Sequence, residues 1–183
     1  ETQMVRFLCR IRRCTMFLYL CGNDRSLQTH VCDATTEEYA QQNKYAHSLF
    51  VADYAVTHTI SWGGLNDEGL IFGKNYASGG VDYTLRAPSV GSNSTGSGES
   101  QHDTPSNNEW DRILDKNSGY IQNWNKMYSW GQDTSSAAKS YRAVRGYISA
   151  RYWISCNAAL SLPYLGFRPI LEVLNLAHWV LTD

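Results

Sequence analysis

Apolar and polar positions alternate most cleanly from Val81 to Ala87, where Val81, Tyr83, Leu85 and Ala87 interleave with Asp82, Thr84 and Arg86. A period of two marks a half-buried strand. Upstream, Ala46, Leu49, Phe50 and Tyr54 fall at helical spacing behind a Thr N-cap candidate and the pair Glu37 and Glu38, which predicts a helix over 35–54. Ser61 to Gly69 predicts a short helix weakened by glycine, and Leu70-Ile71-Phe72-Gly73 a buried strand. Pro88 to Asn108 is dominated by Ser, Gly, Asn and Thr and predicts a loop. Ser106-Asn107-Asn108-Glu109 has the form of a capping box, opening a helix with Trp110, Ile113 and Leu114 on its apolar face and Gly119 as its C-cap. Tyr120 to Trp130 predicts an irregular aromatic stretch: Trp124, Tyr128 and Trp130 pack while Asn123 and Asn125 satisfy loop backbone. Two strand-like runs, 141–146 and 166–173, then bracket a long surface loop over 147–165.

Short strands, one or two short helices and long Gly/Asn/Ser loops predict an α+β fold, not a helical bundle or a parallel sheet. A chain of 183 residues fits one domain with a real core. The pattern becomes organised only near Val56, so residues 1–56 are expected to be a leader and 57–183 the folded domain. A start at Glu1 adds the expectation of a fragment or a processed product. Arg10 to Arg13 followed by Cys14 to Cys21 resembles the basic and apolar regions of a signal peptide, but the apolar run is too short to span a bilayer as a helix. The plainer expectation is a leader of no special function.

Charge narrows the partners. The net charge is −1, and the only basic cluster is Arg6, Arg10, Arg12 and Arg13. Phosphate binding needs clustered Lys and Arg, so no nucleic-acid partner is expected. Six Trp and twelve Tyr are present, and such side chains suit binding faces and cores alike. The 147–165 segment is too rich in Tyr, Trp, Ile and Leu for a disordered linker, and ordered loops of that length are usually functional. That predicts a binding module. Its candidate ligand contacts are Tyr147, Ile148, Tyr152, Ile154, Ser155, Asn157, Leu160, Leu162 and Tyr164; the alternative for the aromatics and Ile154 is that they fill the core beneath the loop. Arg145, Arg151 and Arg168 are expected to hold loop carbonyls and a buried carboxylate in place, with anion binding as the alternative. Gly146, Trp153, Gly166 and Phe167 join them as framework. Trp110, Trp124, Trp130 and Trp153 are expected in the core, with sugar stacking by one of them as the alternative.

Metal and nucleophile chemistry find little support. Cys9, Cys14, Cys21, Cys32 and Cys156 match no zinc-ligand spacing, and their odd number suggests no tidy disulfide framework. Cys156, His102 and Asp103 can be drawn as a triad, but nothing in their spacing supports it. Asp67, Glu68, Asp82 and Asp133 are the acids to consider for calcium; without EF-hand-like spacing they are expected to be solvated.

The order Arg142-Ala143-Val144-Arg145-Gly146, Ser149-Ala150-Arg151 and Gly166-Phe167-Arg168-Pro169 resembles the C-terminal signature of the formylglycine-generating-enzyme-like branch of the C-type lectin fold. There an Arg-Gly-Gly-Ser-Trp stretch precedes spaced arginines and Gly-Phe-Arg; here Tyr147 and Ile148 replace the second Gly and the Ser. Trp62 to Gly73, Tyr83 to Pro88 and Pro105 to Trp110 fit the family's order as well, so the resemblance covers roughly residues 57–175. It implies a C-type-lectin-like fold of that subtype. Catalytic members of the family use a cysteine pair with copper. Cys156 is the only cysteine after residue 32, and soft Cu(I) wants at least two thiolates, so the resemblance implies a non-catalytic domain with no cofactor, calcium aside.

The chain also resembles the variable proteins of diversity-generating retroelements, which diversify this C-terminal segment through template Asn codons. Tyr147, Ile148, Tyr152, Ile154, Ser155, Cys156, Asn157, Leu160, Leu162, Pro163 and Tyr164 all belong to the residue set such codons yield, while Arg151 and Trp153 do not fit it easily and would be framework. This second resemblance implies a bacterial or phage protein, extracellular on a cell surface or virion, with a protein or carbohydrate ligand on a cell surface. The alternatives are an enzyme of the same fold, a cell-wall-active hydrolase, or a structural tail or coat component.

Overall fold

The structure is a computed structural model that describes residues 4–7, 16–22, 47–78, 81–93 and 108–174. Within these residues the chain is α+β and mostly strand. One sheet holds β1 (Met4–Phe7), β2 (Met16–Gly22), β3 (His47–Ala52), β5 (Lys74–Ser78), β6 (Val81–Arg86) and β11 (Ile170–Leu174) in the order β1-β2-β3-β11-β6-β5. A second holds β4 (Thr57–His58), β7 (Tyr128–Thr134), β8 (Tyr141–Gly146), β9 (Trp153–Asn157) and β10 (Leu165–Phe167) in the order β4-β10-β7-β8-β9. Two short helices, α1 (Trp62–Asp67) and α2 (Glu109–Lys116), and a 3-10 turn at Ser118–Tyr120 complete the set.

The five-stranded sheet is buried on both sides, and successive residues of β8 show how. Ala143 joins a core cluster with Val51, Val90, Trp110, Ile113, Leu114, Trp153 and Ile170, whereas Val144 joins a second with Trp62, Leu65, Ile71, Tyr128, Trp130, Leu165 and Phe167. Side chains of a strand point alternately to its two faces, so one ladder serves two cores. The first cluster, here the inner face, lies between the sheets beside α2; the second, the outer face, is covered by α1. Burial of this kind stabilises by about 25 cal/mol for each Å² of apolar surface.

Several sequence expectations change. Residues 35–46 of the expected 35–54 helix lie outside the described residues, and His47–Ala52 form β3, antiparallel to β11 with Val51 opposite Ile170 and Phe50 opposite Leu171. Phe50, Val51 and Ala52 are all buried; a short apolar run satisfies helix and buried strand equally, and long-range pairing decides. The folded unit therefore includes segments upstream of residue 57. Leu70 to Gly73 is a turn, not a strand. Gly69 and Gly73 both hold positive φ, and a Cβ at Gly73 would sit 2.8 Å from Thr84 Cγ2, so the chain turns between two glycines where an extended run was expected.

Asn108 caps α2, its Oδ1 accepting from Asp111 N at 2.8 Å, whereas Ser106 and Asn107 of the expected box lie outside the described residues. The helix closes at Asn117, and Gly119 sits in the 3-10 turn instead of at the cap. The irregular aromatic stretch ends at Met127: Tyr128 begins β7, a central strand between β10 and β8. The loop expected over 147–165 contains β9, paired antiparallel to β8 with Val144 opposite Ile154. Its alternation was hidden because apolar residues occupy both faces. The 166–173 run is two strands in different sheets, β10 and β11, parted at Arg168-Pro169.

Candidate binding face

On the inner face, charge does the positioning. Arg145 is fully buried; Nε and Nη2 donate to Val90 O at 2.9 and 2.7 Å, Nη1 to Arg151 O at 2.8 Å, and Nη2 to Asp111 Oδ2 at 2.6 Å. Arg151 reaches the other Asp111 oxygen at 2.9 Å and also pairs with Asp115. One helix carboxylate thus ties both ends of the 146–151 turn to α2. Gly146 and Tyr147 make that turn at φ 109° and 74°. A Cβ on Gly146 would lie 2.5 Å from Met127 O, so the glycine is required on both counts. Trp153 is buried on the same face and donates Nε1–H to Gly91 O at 2.8 Å, while Trp110 donates to Ala150 O at 2.7 Å. Arg168 is buried at the step between the sheets, donating to Ala52 O at 2.8 Å and to Asn123 O at 3.4 Å. Burial pushes its guanidinium down to about 10, against an opposing effect of Asp53; burial in turn raises the Asp53 carboxyl. Gly166 admits no side chain, since a Cβ would lie 2.9 Å from both Ala55 Cβ and Thr57 O, and Phe167 is buried beside it.

The outer face is aromatic. Tyr128 of β7 stacks on Tyr147 with centroids 4.7 Å apart and planes 10° apart. Tyr164 meets both rings edge-on, at 6.1 and 5.8 Å, and Tyr152 lies 6.3 Å from Tyr128. Tyr128 is buried, Tyr147 and Tyr152 are half-buried, and Tyr164 is exposed. Burial first, then the neighbouring Tyr152, Cys156, Tyr147 and Tyr164, pushes the Tyr128 phenol above its usual range. Ile154 and Cys156 project from β9 on this side, and Leu162 packs against it from the return segment. Cys156 is a free, half-buried thiol that burial pushes up to about 11.

The expected contact residues divide. Tyr147, Tyr152, Ile154, Leu162 and Tyr164 meet on the outer face, and Ile148 and Leu160 are exposed at its margins. Ser155 and Asn157 alternate with Ile154 and Cys156 along β9 and stay half-buried on the inner side; Asn157 Oδ1 accepts from Ala159 N at 3.0 Å and closes the turn after β9. Among the four tryptophans expected to pack, Trp130 is buried and donates to Ile60 O at 2.8 Å, and Trp124 is half-buried. Asp133 accepts from Val90 N and Gly91 N at 2.6 and 3.1 Å, while Asp67, Glu68 and Asp82 are exposed. Among the described residues no three His, Cys, Asp or Glu side chains gather to hold a metal, and no helix is long and apolar enough to cross a membrane. His102 and Asp103 lie outside the described residues.

Two features escaped the sequence. Arg142 lies over the Trp62 ring at 4.3 Å. Arg142 and Arg145 are three apart on one strand and so face opposite sides, a parity legible once β8 is placed. The other is the buried trio of Arg86 with Glu109 (2.7 Å) and Glu172 (3.2 Å), three charges distant in sequence with no local signature. Comparison of the chain with protein-family models, with curated proteins and with solved structures found no match.

Proposed function

We propose that the chain is a non-catalytic binding module of the C-type-lectin-like, formylglycine-generating-enzyme type, whose ligand sits on the outer face of the five-stranded sheet. The observation that carries this reading is the tyrosine cluster: four rings from β7, both ends of the 147–152 turn and the segment before β10, graded from buried to exposed on a backbone held from behind by Arg145 and Asp111. Tyrosine offers large contact area at small entropic cost, and a fixed scaffold removes the cost of ordering a loop on binding. The high-lying Cys156 thiol favours binding over thiol catalysis, since the thiolate is the nucleophile. Display on a bacterial surface or virion, with diversification of the segment, belongs to the same proposal.

Sequencing sibling copies of the gene across residues 141–173 tests it. Substitutions should gather at Tyr147, Ile148, Tyr152, Ile154 and Leu160 to Tyr164 while Arg145, Arg151, Gly166 and Arg168 stay constant. Variation spread evenly, with Cys156 invariant, would overturn the reading in favour of a fixed thiol role.

A further inference from the structure

The outer face has a charge pattern that its tyrosines conceal. Between Asp133 and Glu172 the chain contains no Asp or Glu at all, yet it contains Lys139, Arg142, Arg145, Arg151 and Arg168. Three of these are used internally: Arg145 and Arg151 are paired with Asp111 on the inner side, and Arg168 is buried at the step between the sheets. Lys139 and Arg142 remain, and neither meets a carboxylate among the described residues. Arg142 stacks on Trp62, and its Nη1 donates to Lys139 O and Tyr141 O at 2.7 and 3.1 Å while its buried Nε has no acceptor. It stands opposite Cys156 in the β8–β9 register, at the end of the face away from Tyr147. At the Tyr147 end, exposed Lys126 donates its backbone N–H to Tyr147 O at 2.9 Å. The only acids that α1 brings to this side are Asp67 and Glu68, exposed at its C-terminal end.

We infer that the occupant of this face is an acidic segment of a partner protein, with a carboxylate received by Arg142 and apolar side chains laid on Tyr147, Tyr152 and Tyr164. The inference rests on the binding reading above and names its ligand. A guanidinium already stacked on an indole and tethered through one terminal nitrogen has lost most of its freedom, so pairing it with a carboxylate costs little further ordering. Cations beside an apolar patch to which β8, β9 and β10 contribute no carboxylate steer an anionic partner and reject cationic ones. A protein suits the face better than a sugar does. Sugar hydroxyls need donors and acceptors together, and strands β8, β9 and β10 carry no carboxylate to accept. Ile148 and Leu160, both exposed, offer aliphatic surface instead.

Panning a phage-displayed random dodecapeptide library on the folded full chain tests this. Enriched peptides should carry Asp or Glu beside aromatic or aliphatic residues. A synthetic copy of one should lose about tenfold in affinity on Arg142→Gln, the scale of one charge-assisted hydrogen bond. It should also lose affinity on Tyr164→Ala, and weaken as NaCl is raised. Lys139→Glu, an exposed change, should weaken it as well and serves if Arg142→Gln disturbs folding. Neutral or basic peptides that need Tyr164 but ignore both charge variants would overturn the acidic partner and leave the binding face standing. Peptides indifferent to Tyr164→Ala and to both charge variants would overturn both. No enrichment, or binding to a sialylated or sulfated glycan array instead, would overturn the protein partner.

Discussion

At Arg145 a single, fully buried guanidinium satisfies two backbone carbonyls and a carboxylate. Removing one partner of such a pair leaves an uncompensated buried charge, so Asp111→Ala should lower unfolding free energy by about 3–5 kcal/mol, measured by urea denaturation. Glu109→Ala should act similarly through Arg86, which donates to both Glu109 oxygens. Gly146→Ala should also destabilise the fold, by at least about 1–3 kcal/mol for a side chain forced to positive φ; an unchanged midpoint would mean the turn is not formed as described. Cys156 gives a pH-dependent outcome. Its folded thiol keeps its proton from the ordinary 9.0 up to about 11, so site-resolved alkylation should reach half its maximal rate near pH 11. Because the unfolded thiol deprotonates first, this group's contribution to stability falls as pH rises through that window. Alkylation with a midpoint near 9 would show that Cys156 is open to solvent.

Elements were legible where one face was apolar and the other polar, as in β6, and where Trp110, Ile113 and Leu114 mark one face of a helix, although its cap is Asn108 and not the Ser106 of the expected box. They were illegible where both faces were buried. Phe50, Val51 and Ala52 in β3 and Trp153 and Ile154 in β9 are consecutive apolar residues, and consecutive apolar residues carry no period. The Arg-Gly and Gly-Phe-Arg landmarks located the ends of the segment, but only pairing partners far away in sequence reveal that a strand lies inside it. The chemistry of the site was half legible. Its tyrosines were visible as types, whereas their stacking on Tyr128 and the stacking of Arg142 on Trp62 depend on elements far apart in sequence. Hydrogen exchange checks this arrangement. Amides of β7 and β8, central in their sheet, should be the slowest to exchange, and those of Gln122 and Ser161, in exposed connections, among the fastest. Equal protection of the two sets would contradict the sheet order.

Across the described residues, the arginine–carboxylate scaffold and the proposed binding surface lie on opposite faces of one sheet, and the outer face adds a buried core of its own beneath α1. Ile148→Ser and Leu160→Ser, both exposed, should change unfolding free energy by no more than about 0.5 kcal/mol while weakening whatever binds the tyrosine cluster. Thermal melts paired with binding measurements would show this separation, and loss of both properties together would refute it. The two faces are nonetheless threaded on one strand: along β9 the inward Trp153 is followed by the outward Ile154, and so on to Asn157. Deleting or inserting one residue between Tyr152 and Asn157 would not trim the surface but exchange its sides, turning Trp153 to the outer face and Ile154 and Cys156 toward Arg145. Over this stretch, length is constrained far more tightly than composition: substitutions change single side chains on a face, whereas a single-residue indel exchanges the faces themselves.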